Sequence, residues 1–323
     1  MTTKSRQLRE LLSGGDFLYM PSAATPIEGK LAEAVGTKLV YTGGYVTGAS
    51  RTITEPLLTM DEQVRVAGEV ARAVSVPLIA DAGAGFGEPL HTMRTVREFS
   101  TAGVAGVHIE DQLFPKRAHY HTYVVHAIPT EEFVAKIKFA CRQRNEIDPD
   151  FVIIARSDTC REFGLEEAIG RINAAAEVGA DLGLVFPRSR AEAEAAPRLA
   201  KVPLIWVQSR GNRDGRPILS LGELEQMGYR GCIDAQILLG VAFHFMKQAM
   251  AEITDTGSYS GISDADFTAV RKEIEDLIGL DAYYRIEAET VESNSMADQG
   301  GRLDPVNGSN PATNVIRRQR RDR

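Results

Sequence analysis

Between residues 17 and 235, eight short apolar runs alternate with longer stretches of helical spacing, and Gly, Pro or Asp bounds most of the runs. The runs are residues 17–23, 38–44, 77–82, 106–110, 152–156, 182–186, 203–207 and 231–235. They are continuous rather than alternating, as suits strands covered on both faces, and strands of that kind form parallel sheets joined by helical crossovers. Helical patterns between them include residues 60–74, 92–102, 130–144, 165–178 and 221–227. Thr130, followed by Glu131 and Glu132, reads as a helix N-cap with acidic residues in the first turn. Gly103 and Gly179 read as C-terminal caps.

Eight strand–helix units of about 30 residues come to ~240, the size of a (β/α)8 barrel. The rival is a doubly wound open sheet. That arrangement needs fewer strands, and its dinucleotide-binding version needs a Gly-rich turn after the first strand. Here the first strand runs into Pro21-Ser22-Ala23-Ala24-Thr25-Pro26, so the expected fold is an α/β TIM barrel. Three more helical stretches follow the eighth strand, at 236–253, 264–278 and 281–291. They form a C-terminal arm suited to packing on a partner subunit. The expected domains are a barrel with its C-terminal helices over 1–292 and a disordered polar tail with a basic end over 293–323.

The formal net charge of −7 argues against a nucleic-acid-binding role, because phosphate backbones attract positive surfaces. No apolar run approaches the ~20 residues that cross a bilayer. Cys141, Cys160 and Cys232 are too few and too scattered for a disulfide framework or a zinc site, which points to a reducing cytoplasm.

Barrel enzymes gather their chemistry at the C-terminal ends of the strands. There this chain carries Thr42-Gly43-Gly44, Asp81, Glu110-Asp111, Lys116-Arg117, Arg156-Ser157-Asp158, Arg188 and Arg210. Asp81, Glu110 and Asp111 offer oxygen ligands to a hard cation such as Mg²⁺. Lys116, Arg156, Arg188 and Arg210 can grip carboxylates or phosphonates. Cation and arginines together suit an anionic substrate whose enolate must be stabilised. The Gly83-x-Gly85-x-Gly87 run follows the third strand and reads as a tight loop rather than a nucleotide fingerprint. His119, His121 and His126 crowd the loop after strand four; substrate contact or acid–base work suits them better than a metal cluster. The cysteines read as structural.

The segments GVHIEDQLFPKR, DPDFVIIARSD and DLIGLDAYYRIEAE resemble the isocitrate lyase/phosphoenolpyruvate mutase superfamily. The likeness runs from about residue 6 to 292 and is strongest to the methylisocitrate lyase, dimethylmalate lyase and carboxyphosphonoenolpyruvate phosphonomutase branch. It implies a (β/α)8 barrel with a last helix swapped between subunits, in a dimer-of-dimers homotetramer. It also implies Mg²⁺ and cleavage or formation of C–C or P–C bonds in a 2-oxo acid. Carried over by position, Asp81 would ligate the metal directly and Glu110 would act on it through water. Thr42, Gly43 and Gly44 would contact the substrate carboxylate, and Arg156 would bind the oxo-acid part. Lys116 and Arg117 would lie in a gating loop.

Departures from the family pattern cluster at the same site. The family's Asp-Ala-Asp metal motif is Asp81-Ala82-Gly83 here, and the lyase loop cysteine is Ala118 in Lys116-Arg117-Ala118-His119-Tyr120. Arg188 replaces a lyase Glu, Val207 an Asn, and Arg210 a nearby Glu; the phosphonomutase Asn-Ser loop is absent. The gain of positive charge points either to a substrate with an extra acidic group, met by Arg188 and Arg210, or to arginines paired with protein carboxylates. With the thiol gone, His119, Tyr120 or His121 would supply the proton. The expectation is an Mg²⁺-dependent C–C lyase for a small anionic 2-hydroxy or 2-oxo acid. Its alternatives are P–C phosphonomutase chemistry, an oxaloacetate-type hydrolase or decarboxylase, and a non-catalytic dicarboxylate-binding barrel.

Overall fold

In a computed structural model, residues 2–118 and 125–292 are described. The chain divides into two compact units, one ending at Gly261 and one beginning at Ile262. The first unit holds a single eight-stranded parallel sheet. Its strands are β1 (Leu18–Pro21), β2 (Val40–Thr42), β3 (Leu78–Asp81), β4 (Gly106–Glu110), β5 (Val152–Ser157), β6 (Leu182–Val185), β7 (Leu204–Gln208) and β8 (Gly231–Asp234). Each pairs with the next in sequence from β2 to β8, and β8 pairs back onto β1. A parallel bridge between Ser22 and Tyr41 joins the β1 and β2 ends, with Ala23 N–H donating to the Tyr41 carbonyl at 2.8 Å. The expected (β/α)8 barrel is therefore present, its seam made by one bridge.

The helices of this unit are α1 (Lys4–Ser13), α2 (Pro26–Ala34), α3 (Gly44–Ser50), α4 (Met60–Ala73), α5 (Pro89–Thr101), α6 (Thr130–Ile147), α7 (Cys160–Glu177), α8 (Arg190–Leu199), α9 (Leu221–Met227) and α10 (Ile237–Thr256). Capping boxes start α2, α4 and α9, where Thr25, Thr59 and Ser220 exchange hydrogen bonds with Glu28, Glu62 and Glu223. The start of α6 differs from expectation. Pro129 occupies the cap and Thr130 is the first helical residue, so the acidic first turn stands without a side-chain cap. Gly103 (φ 89°) and Gly179 (φ 109°) do close α5 and α7 in conformations that other residues resist. β1, β2, β3, β6 and β8 are shorter than their apolar runs, and flanking residues such as Phe17 and Phe186 pack against the core without joining the ladder.

Two apolar cores follow from the alternation of strand side chains. One lies between sheet and helices, around Phe99, Phe133, Phe151 and Trp206; the other fills the barrel, with Met20, Ile79, Ile154, Leu184, Ile205 and Ile233. Trp206 is 2% exposed, donates its indole N–H to Gln208 at 2.9 Å and meets Tyr229 edge-on. All three cysteines are free and buried. No helix among the described residues is long and apolar enough to cross a membrane. The second unit has α11 (Asp264–Leu277) and α12 (Leu280–Glu289). The tail expected from 293 onward lies outside the described residues, and the helix swap is not visible in a single chain.

The burial of Trp206 sets a test of the outer core. Trp206→Ala removes a packed ring between sheet and helices and should lower the unfolding free energy by about 3–5 kcal/mol, read by urea denaturation.

Candidate active site

The C-terminal ends of β3, β4 and β5 converge on buried charge. Asp81 closes β3, Glu110 closes β4, and Arg156 stands opposite Glu110 in the β5 register. Arg156 Nη1 is 3.1 Å from Glu110 Oε2 and 3.9 Å from Asp81 Oδ2. Its Nε and Nη2 donate to the two Asp158 oxygens at 2.8 and 3.0 Å. Lys116 Nζ sits 2.5 Å from Glu55 Oε1 and 3.0 Å from Glu110 Oε1. Glu110 is fully buried; Lys116 donates to its Oε2 at 3.2 Å, while among the described residues its Oε1 accepts no hydrogen bond.

The loop after β3 explains how Asp81 is aimed. Gly83 N–H donates to Asp81 Oδ1 at 2.8 Å, and Gly44 N–H donates to Asp81 Oδ2 at 3.1 Å. Gly83, Phe86 and Gly87 all have positive φ, and Gly85 (φ 78°) is pressed so closely on Thr92 that a Cβ would meet its hydroxyl. The run is a tight loop, as expected from its spacing. Its fold also sets the next strand end, because Glu110 N–H donates to the Gly83 carbonyl at 2.9 Å.

Glu55 was not singled out from the sequence. It begins a short 3₁₀ turn, Glu55–Leu57, in the long connection after β2. No hydrophobic period marks such a position, and only its place downstream of a strand's C-terminal end could have flagged it. Gly44 makes its approach possible: a Cβ there would lie 2.7 Å from Glu55 Cγ. Glu55, Asp81 and Glu110 each bring a carboxylate oxygen to within 4.8 Å of the others, an arrangement that can hold a metal ion. The donors are all oxygen, with Asp81 and Glu110 buried and Glu55 partly so, which fits a hard divalent cation. Gly83, at the place of the missing motif carboxylate, would have open space at its Cβ.

Burial and charge oppose each other here. Burial drives the Asp81 pKa upward, but His108, Arg156, Lys116 and the Gly83 N–H together hold it far below the usual carboxylate range. Glu110 goes the other way: burial outweighs Lys116 and Arg156 and lifts it to about 7. Burial also drives His108 down to about 4, against the pull of Asp81. Its Nε2 lies 2.7 Å from the Tyr41 hydroxyl, which ties the barrel seam to the site.

A cleft of about 380 Å³ opens on this cluster, lined by Glu55, Gln63, Asp81, Gly83, Phe114 and Lys116 among others. A second cavity of about 430 Å³ is lined by Arg156, Asp158, Arg161, Phe186, Arg188, Asp214 and Arg216, with Val125. Asp81, Glu110, Lys116, Arg156 and Gly44 thus come together, with Gly43 next to them as the N-cap of α3. The Thr42 hydroxyl is turned away, donating to the Ala23 carbonyl at 2.9 Å. Arg188 lines the second cavity and pairs with Asp214 at 2.6 Å. Arg210 lines neither cavity; it lies 3.1 Å from the buried Asp234, whose carboxylate at the end of β8 needs a cation. His119, Tyr120 and His121 lie outside the described residues. Asp111, offered above as a cation ligand, instead accepts from Ser157 Oγ and Asp158 N–H and faces Arg171, away from the triad.

The phosphoenolpyruvate phosphomutase family model matches residues 8–254. The chain belongs to the phosphoenolpyruvate mutase/isocitrate lyase superfamily. It is 35% identical to the 2,3-dimethylmalate lyase of Eubacterium barkeri over 87% of this chain and 96% of that one. It is 32% identical to the 2-methylisocitrate lyase of Aeropyrum pernix over 87% and 89% of the two chains. A crystal structure of 2,3-dimethylmalate lyase superposes with a TM-score of 0.81 at 30% identity, covering 94% of this chain and 99% of the other. Phosphonopyruvate hydrolase, solved with oxalate and Mg²⁺, superposes with a TM-score of 0.77 at 29% identity, covering 90% and 100%. Superfamily relatives of this chain thus include C–C lyases and phosphonomutases.

The Gly44–Glu55 contact yields a direct test. Gly44→Ala should push Glu55 out of the triad and weaken divalent-cation binding by about tenfold or more, measured by titration calorimetry.

Proposed function

We propose that this protein is an Mg²⁺-dependent lyase that cleaves a C–C bond of a small anionic 2-hydroxy acid. The observation that carries this reading is the Glu55–Asp81–Glu110 triad with Arg156 beside it, at the barrel end where such folds place catalysis. Names of relatives at 35% and 32% identity support the reaction class.

Glu55, Asp81 and Glu110 are the residues that would hold the cation. Bound there, it supplies Lewis-acid stabilisation of negative charge built on the substrate's oxygens. Two of the five Arg156 donors are taken by Asp158 and its Nη1 is ion-paired with Glu110, so donors remain for the substrate carboxylate. Gly43 and Gly44 present backbone alone, so a carboxylate can approach closely, with Thr42 shaping the floor behind them. Cleavage is of the retro-aldol type. The hydroxyl proton leaves and its bonding pair forms the carbonyl of the released oxo acid. The C–C pair passes to the departing fragment as an enolate, which then takes up a proton. Glu110, at the end of β4 between Lys116 and Arg156, is placed to accept the hydroxyl proton. Lys116 balances the charge of Glu55 and Glu110, and His119, Tyr120 or His121 delivers the final proton.

The three buried free cysteines support a cytoplasmic location. Homotetramer formation, with the C-terminal helices as the arm, is supported by α10, on which Val241, Phe243, Phe245, Met246 and Met250 are exposed. Light scattering should give the mass of four chains, and a monomer at micromolar concentration would refute the assembly. The domain reading keeps 1–292 as the folded enzyme and 293–323 as a polar tail; deletion of 293–323 should leave turnover unchanged.

The decisive assay follows methylisocitrate, isocitrate, dimethylmalate, oxaloacetate and phosphonopyruvate by proton and phosphorus NMR. An oxo acid released from a 2-hydroxy acid only with Mg²⁺, and lost in Asp81→Asn, is the expected result. A phosphorus product would make the enzyme a phosphonomutase or hydrolase. Release of CO₂ or oxalate from oxaloacetate would make it a decarboxylase or hydrolase. Binding without turnover across the panel would make it a dicarboxylate-binding barrel.

A further inference from the structure

We infer that the Gln63 carboxamide is a further positioning residue of the cation site, holding by hydrogen bonds the water that a divalent cation at the Glu55–Asp81–Glu110 triad would keep. This rests on the cation of the lyase reading and adds to it a neutral group outside the three carboxylates.

Gln63 breaks the period of its own helix. The buried residues of α4 are Gln63, Val66, Ala67, Gly68, Val70 and Ala71. Positions 63, 66, 67, 70 and 71 lie on one stripe with the spacing of an apolar face. Gln63 is the one polar residue on that stripe. It sits near the start of α4, and helices of a parallel barrel start at the end where the strands finish.

The amide is also without a partner. Gln63 is 1% exposed, and among the described residues neither its Oε1 nor its Nε2 makes a hydrogen bond. A buried amide in that state is destabilising, and an apolar side chain of similar shape would serve the fold better. A polar group at an apolar position with nothing to bond marks a place where a ligand or water belongs.

Its place says which ligand. Gln63 lines the same cleft as Glu55, Asp81, Gly83 and Lys116. A Cβ at Gly83 would meet open space, so room for water remains beside Asp81. A hard octahedral cation takes a few carboxylates and keeps several waters, whose hydrogens need acceptors outside the ligand set. Few are at hand. Asp81 already accepts from Gly83 N–H on Oδ1 at 2.8 Å and from Gly44 N–H on Oδ2 at 3.1 Å. Pro56, Leu58, Phe86 and Phe114 on the cleft wall have no hydrogen-bonding side chain. Among the described residues that line the cleft, Gln63 alone carries a neutral polar side chain. Its carbonyl can accept from such water and its NH₂ can donate to it, without adding charge to the triad.

Two measurements on the full chain test this: titration calorimetry with Mg²⁺, and thermal melting after metal is stripped with EDTA. Gln63→Met keeps the length of the side chain and removes the amide. It should bind Mg²⁺ more weakly by about tenfold or more. The same variant, metal-free, should melt higher than the wild type by roughly 2 °C or more, because the orphaned amide is gone. Gln63→Glu keeps an acceptor and should hold Mg²⁺ at least as tightly as the wild type. The melting curves also show that each variant folds. Equal Mg²⁺ affinity in Gln63→Met overturns the inference. So does an equal or lower melting temperature, which would make the amide a packing group. Unchanged Mg²⁺ affinity with weakened oxalate binding would move Gln63 to the substrate and overturn the assignment to cation water. Absence of Mg²⁺ binding by the wild type overturns the cation of the lyase reading itself. Binding that is lost in Asp81→Asn but untouched in Gln63→Met leaves that reading standing and removes only Gln63.

Discussion

The site depends on one physical constraint: several charges are held out of water and must neutralise one another. Glu110 has no exposure, and its compensation comes from Lys116 on one side and Arg156 on the other. Each cation is shared onward, Lys116 with Glu55 and Arg156 with Asp158. Removing any one member strands a buried charge, the situation that costs a protein most. The barrel is what makes this tolerable, because its parallel strands set Glu110 opposite Arg156 and Asp81 opposite His108, two residues before Glu110.

Much of this was legible in the sequence, for an identifiable reason. The expected runs 77–82, 106–110 and 152–156 end within one residue of the observed strand ends at Asp81, Glu110 and Ser157, so the residues there could be placed without coordinates. The barrel itself followed from eight such runs and their helical spacers. Residues on long connections were not legible. Glu55 lies in a turn with no period of its own, and its relation to Asp81 exists only because Gly44 lets the two chains touch. Asp214 and Arg216 lie in a glycine-punctuated loop whose geometry is set by Asn212, a side-chain lock that no pattern announces. The strand-end rule named Arg210 as readily as Arg188, yet one pairs with the buried Asp234 and the other faces a cavity. The difference is decided by which carboxylate lies within reach, a tertiary fact.

Two of the departures from family pattern read differently once the structure is seen. The carboxylate absent at Gly83 leaves open space, while Glu55, Asp81 and Glu110 still form a three-carboxylate set. Arg188 has not simply reversed a charge, since it shares Asp214 with Arg216 in a cavity bounded by Phe186.

The third carboxylate of the set is carried by a loop rather than by a strand. Ordering of that loop and occupancy of the triad are therefore thermodynamically linked, and linkage is reciprocal. Whatever favours the Glu55 turn would tighten the triad's hold on a cation, and a cation held there would stiffen the path from β2 to α4 by the same free energy.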